Sequence, residues 1–184
     1  PDRAAVLAWP LRAMRPILLL AAAAALLAGC RGPGTPVDLL RAGDRLLEAR
    51  AAGDQGSAVL DAGRAGLRLN DVVHRGFPAG PPGRLRFAVD IPRRARLQLA
   101  CAIDPRFHDR PGVEFVAKVK RDDREEVVFS RLLDPISRPD DRGFVPVDVD
   151  LAKHAGRGRE LVLETRGYEE AGDAARAFWA TPAL

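Results

Sequence analysis

Apolar and polar residues alternate with a period of two along most of the chain beyond Ser57. Leu85, Phe87, Val89 and Ile91 are interleaved with Arg84, Arg86, Ala88 and Asp90 until Pro92 stops the run. Leu97, Leu99, Cys101 and Ile103 repeat the pattern, as do Val113, Phe115, Ala117 and Val119. A charged turn, Arg121-Asp122-Asp123-Arg124, then leads into Val127, Phe129 and Leu133, which predicts a hairpin whose return strand is interrupted by Arg131. Val145, Val147, Val149 and Leu151 form another run; Pro146 within it costs a ladder hydrogen bond, so this strand is expected at a sheet edge. Ala58–Leu60, Leu67–Leu69, Leu161–Thr165 and Ala177–Thr181 are further short strands, and the Gly/Pro-rich stretch Gly76–Gly83 reads as a loop. Such alternation marks strands with one face on a core and one in water. Many short strands without a long helix between them predict an all-β fold, an antiparallel two-sheet β-sandwich of jelly-roll type, over residues 57–184.

Upstream the period changes. Thr35 as N-cap, Pro36 at the first helical position and Asp38 two residues on read as a helix start. Val37, Leu40, Leu47 and Ala51, flanked by Leu39 and Leu46, predict a short amphipathic helix to about Ala52, weakened at Gly43. Residues 30–56 are therefore expected to be a tether and helix. Before them, Arg12 and Arg15 precede the unbroken apolar run Ile17–Leu27, which ends in Leu27-Ala28-Gly29-Cys30. A charged lead, an apolar stretch too short to span a bilayer and small residues at the end have the anatomy of a signal peptide over residues 14–29. Met14 is the only methionine, so residues 1–13 are expected to be an over-extended start.

The terminal L-A-G-C resembles the lipobox of bacterial lipoproteins. That resemblance implies lipid on the Cys30 thiol and cleavage before Cys30. It places the protein at the cell envelope with the membrane as a partner; Arg31 after the cysteine leans toward the outer membrane in a diderm cell. One acyl chain holds a protein only marginally, whereas two or more make release slow.

Charge and cysteines remove several classes. The 29 basic residues outnumber the 25 acidic ones, giving +4, but arginines and acids are interspersed rather than gathered on one stretch. No nucleic-acid partner is expected from that pattern. Of the two cysteines, Cys30 is assigned to lipid and Cys101 falls in a core-facing register, so neither a disulfide framework nor a zinc site is expected. His74, His108 and His154 show no metal or triad spacing, and no nucleophile–base pair stands out, so the chain reads as non-catalytic and without a cofactor.

Two acidic pairs, Asp140-Asp141 and Asp122-Asp123, offer oxygens for calcium, yet each is flanked by arginines and reads more readily as a solvated loop. Phe87, Phe115, Phe129 and Trp179 belong to core registers. Tyr168, Phe107 and Phe144 are left as aromatic platforms on which a ligand could stack.

The ordered string Val113–Val119, Val128-Phe129, Val147–Leu151, His154-Ala155-Gly156, Leu161–Thr165 and Phe178–Pro182 resembles the galactose-binding-like jelly-roll modules that accompany glycoside hydrolases and exported sulfatases. Near the end this chain has W-A-T-P where those modules commonly read W-G-x-P. The resemblance implies a non-catalytic accessory or spacer domain with glycans as possible partners. The alternative it raises is an N-terminal accessory fragment of a larger exported enzyme, with a sulfatase-like catalytic domain as partner.

Overall fold

The computed structural model describes residues 36–41, 43–50, 65–167 and 176–184. The stretch Leu27–Cys30 expected to be a lipobox, the strand expected at Ala58–Leu60 and Tyr168 lie outside them. The strands are β1 (Leu46–Arg50), β2 (Ala65–Leu69), β3 (Val72–Pro78), β4 (Gly83–Ile91), β5 (Arg96–Ile103), β6 (Val113–Arg121), β7 (Arg124–Leu133), β8 (Val145–Asp150), β9 (Gly156–Arg166) and β10 (Ala177–Ala183). They form two five-stranded antiparallel sheets: sheet one in the order β1-β4-β9-β6-β7 and sheet two in the order β2-β3-β10-β5-β8. Among the described residues β2–β3 and β6–β7 are the hairpins within a sheet; the chain otherwise crosses between sheets at each connection from β3 to β10, as in a jelly roll. Among the described residues no helix is long and apolar enough to cross a membrane.

The alternating positions named above meet between the sheets. Leu85, Phe87, Leu97, Cys101, Phe115, Leu161, Leu163 and Trp179 are buried in one core, where the Phe115 and Trp179 rings meet edge-on at 5.0 Å. Burial pushes the Cys101 thiol well above its ordinary value, against the opposing charge of Arg131, so it is an inert core residue. Pro146 does sit on an edge strand, β8.

Two expectations are corrected. In the described part of the expected amphipathic helix, residues 36–41 and 43–50, the chain instead forms a bridge at Asp38, a 3-10 turn (Gly43–Arg45) and β1, which pairs with β4. Spacing suited to a helix lost to a free sheet edge, where Glu48 faces Arg86 across the ladder and reaches its guanidinium at 2.9 Å. The sandwich thus takes in residues upstream of 57, including Leu39, which is buried in the core. The loop expected at Gly76–Gly83 begins instead after Pro78, because Gly76 and Phe77 continue β3 alongside Ala180 and Trp179.

The outward face of sheet one is a lattice of ion pairs. Glu164 on β9 accepts hydrogen bonds from Arg84, from Lys118 at 2.9 Å and from Arg166 at 2.9 Å. Glu125 accepts from Arg84 and Lys118, while Arg86 bridges Glu48 and Glu160. Val116 and Val162, also directed outward, are buried among these long side chains, whose methylene stems cover apolar surface while their heads stay wet. Burial pushes the Glu164 carboxyl upward, but the hydrogen bonds from Lys118 and Arg166 and the charges of Lys118 and Arg84 outweigh it, leaving the group below its ordinary value.

Candidate functional site

The outward face of sheet two is built differently. Small residues on β5 and β10, Ala100, Ala102 and Ala180, let larger side chains lie flat over the sheet, and with Leu69 and Phe178 they form a second buried cluster. Gly76 is required for this. A β-carbon there would stand 2.1 Å from the Trp179 carbonyl oxygen and 2.6 Å from the Phe178 ring. The loop from β7 to β8 delivers Phe144 against the cluster. That loop is pinned by Asp141, which is only 1% exposed: Arg131 Nη2 and the backbone N–H of Asp134 each donate to its carboxylate at 2.9 Å. Arg131, which breaks the apolar face of β7, is therefore the arm that holds the loop.

Phe144 meets His74 of β3 edge-on, with ring centroids 4.4 Å apart. The pair borders an open groove of about 500 Å³, with Ala100 and Val147 as apolar lining and Gln98, Asp148 and Thr181 as polar groups. Arg96 Nε donates to Asp148 Oδ1 at 2.7 Å. That hydrogen bond, with a further one from Gln98, holds the Asp148 carboxyl below its ordinary value, so it is a firm acceptor. Thr181 sits at φ 42°, in a bulge between Ala180 and Ala183. For a β-branched residue this left-handed backbone costs roughly 1–2 kcal/mol, and such strain with a bulge is typical where a side chain is re-aimed at a functional site.

A second cleft, of about 630 Å³, opens at one end of the sandwich between the β6–β7 turn and the segment joining β8 to β9. It is lined by charged groups. Lys153 Nζ donates to Glu126 Oε1 at 2.6 Å, and His154 Nε2 lies 3.8 Å from the same oxygen. The bond from Lys153 is the main cause of a lowered Glu126 carboxyl.

No protein-family model matches the chain. A curated relative from Archaeoglobus fulgidus, described as an uncharacterized protein, is 33% identical over 78 residues, which is 41% of this chain and 20% of the relative. The chain thus spans a fifth of that relative's length. Among solved structures, the CBM51 module of Clostridium perfringens GH95 in complex with methyl-galactose is similar at a TM-score of 0.54 and 16% identity, over 82% of this chain and 99% of that one. The second CBM51 module and INT domain of Clostridium perfringens ZmpB give 0.54 and 16% over 81% and 31%. The tandem CBM51 modules of a Streptococcus pneumoniae family 98 glycoside hydrolase give 0.51 and 15% over 83% and 47%. The chain has a CBM51-like fold.

On this CBM51-like sandwich the two aromatic candidates among the described residues, Phe144 and Phe107, lie on different connections, β7–β8 and β5–β6. Phe144 borders the groove. Phe107 closes a 3-10 turn between β5 and β6, packed on the edge of the main core with the Arg106 guanidinium 5.7 Å from its ring centre. Tyr168 lies outside the described residues, as does Cys30. Asp140 is exposed and both oxygens of Asp141 are engaged, so the pair forms no oxygen cage. Among the described residues no group of three or more His, Cys, Asp or Glu side chains is placed to hold a metal ion. His108 Nε2 is 3.0 Å from the Ile103 carbonyl, a local structural contact. Sequence reasoning missed His74, Gln98, Asp148 and Thr181, which belong to four strands. The one available signal was the run of small outward residues, Ala100 and Ala102, in a strand whose other face is fully apolar.

Proposed function

We propose that the chain is a lipid-anchored cell-envelope protein whose sandwich is a non-catalytic glycan-binding module, with the groove of sheet two as the saccharide site. The observation that carries this reading is the ring pair of Phe144 and His74 facing Gln98, Asp148 and Thr181 across an apolar lining. A sugar presents C–H faces that pack on rings and hydroxyls that need firm donors and acceptors, and the groove supplies both kinds. The shared fold with a CBM51 module solved with methyl-galactose supports the ligand class. The lipobox at Leu27–Cys30 supports the anchor. One of the similar solved structures is a pair of modules from a family 98 glycoside hydrolase, which favours an accessory role beside a catalytic partner, the sequence resemblance raising a sulfatase-like domain as the alternative.

A glycan array probed with the full chain in detergent tests the reading, followed by calorimetric titration of the best saccharide. Phe144→Ala is expected to weaken binding about tenfold, in line with roughly 1–1.5 kcal/mol for a ring contact. A folded chain that retains no glycan, or a Phe144→Ala variant of undiminished affinity, sinks the groove assignment. For the anchor, Cys30→Ser should move the protein from the membrane fraction to the supernatant of lysed cells. Continued membrane residence of that variant would remove the lipid from the proposal.

A further inference from the structure

We infer that the charged cleft between the β6–β7 turn and the β8–β9 segment is a separate binding site for a phosphate group, held by Arg124, Arg159 and His154. Of the cations lining the cleft, two are already engaged: Lys153 pairs with Glu126, and Arg121 lies 3.6 Å from Asp122. Arg124 has no ion pair among the described residues. Arg159 spends only its Nε, on the His154 carbonyl at 3.4 Å, which leaves its terminal nitrogens without a carboxylate partner among those residues. His154 is 9% exposed at its side chain, yet its Nε2 is buried with no hydrogen-bond partner, since Glu126 at 3.8 Å is out of reach. A buried ring nitrogen left in that state is costly, and an acceptor entering the cleft would relieve it.

The backbone makes room for this arrangement. Gly156 has φ 148°, and a β-carbon on it would stand 2.7 Å from Arg159 Nη2, so glycine leaves the space that the guanidinium occupies. Guanidinium groups match tetrahedral oxyanions through forked donors, and a phosphate would take donors from Arg124, Arg159 and the His154 Nε2–H together. Asp123, exposed at the turn tip, opposes the anion and is expected to keep the affinity for free phosphate in the millimolar range. Its source is either a phospholipid headgroup or a soluble phosphate. The chain joins the sandwich at this end, where Val37 and Leu184 exchange backbone hydrogen bonds at 2.7 and 3.0 Å, and Cys30 lies seven residues earlier in the sequence.

The test uses the full-length Cys30→Ser chain, so that no attached lipid binds membranes on its own. Inorganic phosphate is titrated calorimetrically, and co-sedimentation is measured with vesicles of phosphatidylcholine alone and with added phosphatidylglycerol. Arg159→Gln and Arg124→Gln should each weaken binding at least tenfold. Arg157→Gln, an exposed cation at the same end that does not line the cleft, should leave it unchanged. Binding of phosphate with no preference for phosphatidylglycerol identifies a soluble ligand, and capture on phosphatidylglycerol vesicles alone identifies a headgroup. Failure of the folded chain to bind either probe overturns the inference, as does equal weakening by Arg157→Gln, which would reduce the effect to general charge. Arg124 is exposed at the start of β7, beside the turn, so its variant remains informative if Arg159→Gln does not fold. Phe144→Ala should leave phosphate binding intact, which separates this inference from the glycan reading.

Discussion

The two outward faces of the sandwich solve the same problem in opposite ways. Sheet one covers Val116 and Val162, on its central strands β6 and β9, with long charged side chains whose heads are paired with one another, from Glu48 through Arg84 and Arg86 to Glu164 and Lys118, while Val127 and Leu132 on edge strand β7 stay exposed. Single surface pairs contribute little, but a connected lattice leaves few donors or acceptors free to offer a ligand. Sheet two covers its outward face with Phe178, Leu69 and a loop that brings in Phe144, and the small residues beneath leave a groove open beside them. A face closed by satisfied charges is a surface; a face closed incompletely by rings is a site.

The contrast is broken most severely at Gly76. Its close approach to Trp179 and Phe178 is what allows an apolar layer over sheet two, so Gly76→Val should cost about 3 kcal/mol or more through overpacking and distortion of the β3–β10 ladder. Urea denaturation followed by tryptophan fluorescence measures it. A loss under 0.5 kcal/mol would mean that the layer does not depend on that approach.

An intermediate effect is expected on sheet one. Glu164→Gln removes the shared acceptor of Arg84, Lys118 and Arg166 and should cost about 1–2 kcal/mol at neutral pH, less than a fully buried pair because the cations reach solvent. The sign with pH follows from the lowered carboxyl groups. In Glu125, as in Glu164, burial acts upward and the bonds from Lys118 and Arg84 overcome it. A folded-state value below the ordinary 4.5 stabilises above that pH, and the contribution is lost as pH falls through the folded value. Wild type should therefore lose stability more steeply below pH 4.5 than Glu164→Gln, the two curves converging in acid. Parallel curves would show that the Glu164 carboxylate contributes nothing to the lattice.

These faces were unequally legible in the sequence. The core registers of β4 and β5 are visible because both neighbours of each core residue are polar or small, and those of β6 and β8 keep the alternation although Val116 and Phe144 each flank a core position. β1 was hidden because Leu46 and Leu47 continue a helical spacing that only pairing with β4 overrides. β3 was hidden because glycine and proline punctuate it, although Gly76 is there for a close approach and Pro78 merely ends the strand. Phe144 could be singled out by elimination from the core. Its partners could not, since His74, Gln98, Asp148 and Thr181 become neighbours only through the strand order β3-β10-β5-β8. The charged cleft is equally non-local: its turn reads as a solvated hairpin until the segment around His154 is placed beside it.

The smallest expected effect on stability is the most specific to the groove. At an ordinary strand position Thr→Gly costs up to about 1 kcal/mol through the unfolded chain's entropy and lost β preference. At Thr181 the left-handed backbone refunds a similar amount, because glycine adopts φ 42° without a steric penalty. Thr181→Gly should consequently leave the melting temperature unchanged or slightly raised. If the strain exists to aim the hydroxyl into the groove, the same variant should lower saccharide affinity several-fold. Thr181→Val, which removes the hydroxyl but keeps the branched shape and the strain, should lower affinity equally with no gain in stability. The pair separates the two roles: a Thr181→Gly variant destabilised by a full 1 kcal/mol would show that the position is not strained, and undiminished binding in both would show that the strain serves the bulge rather than the ligand.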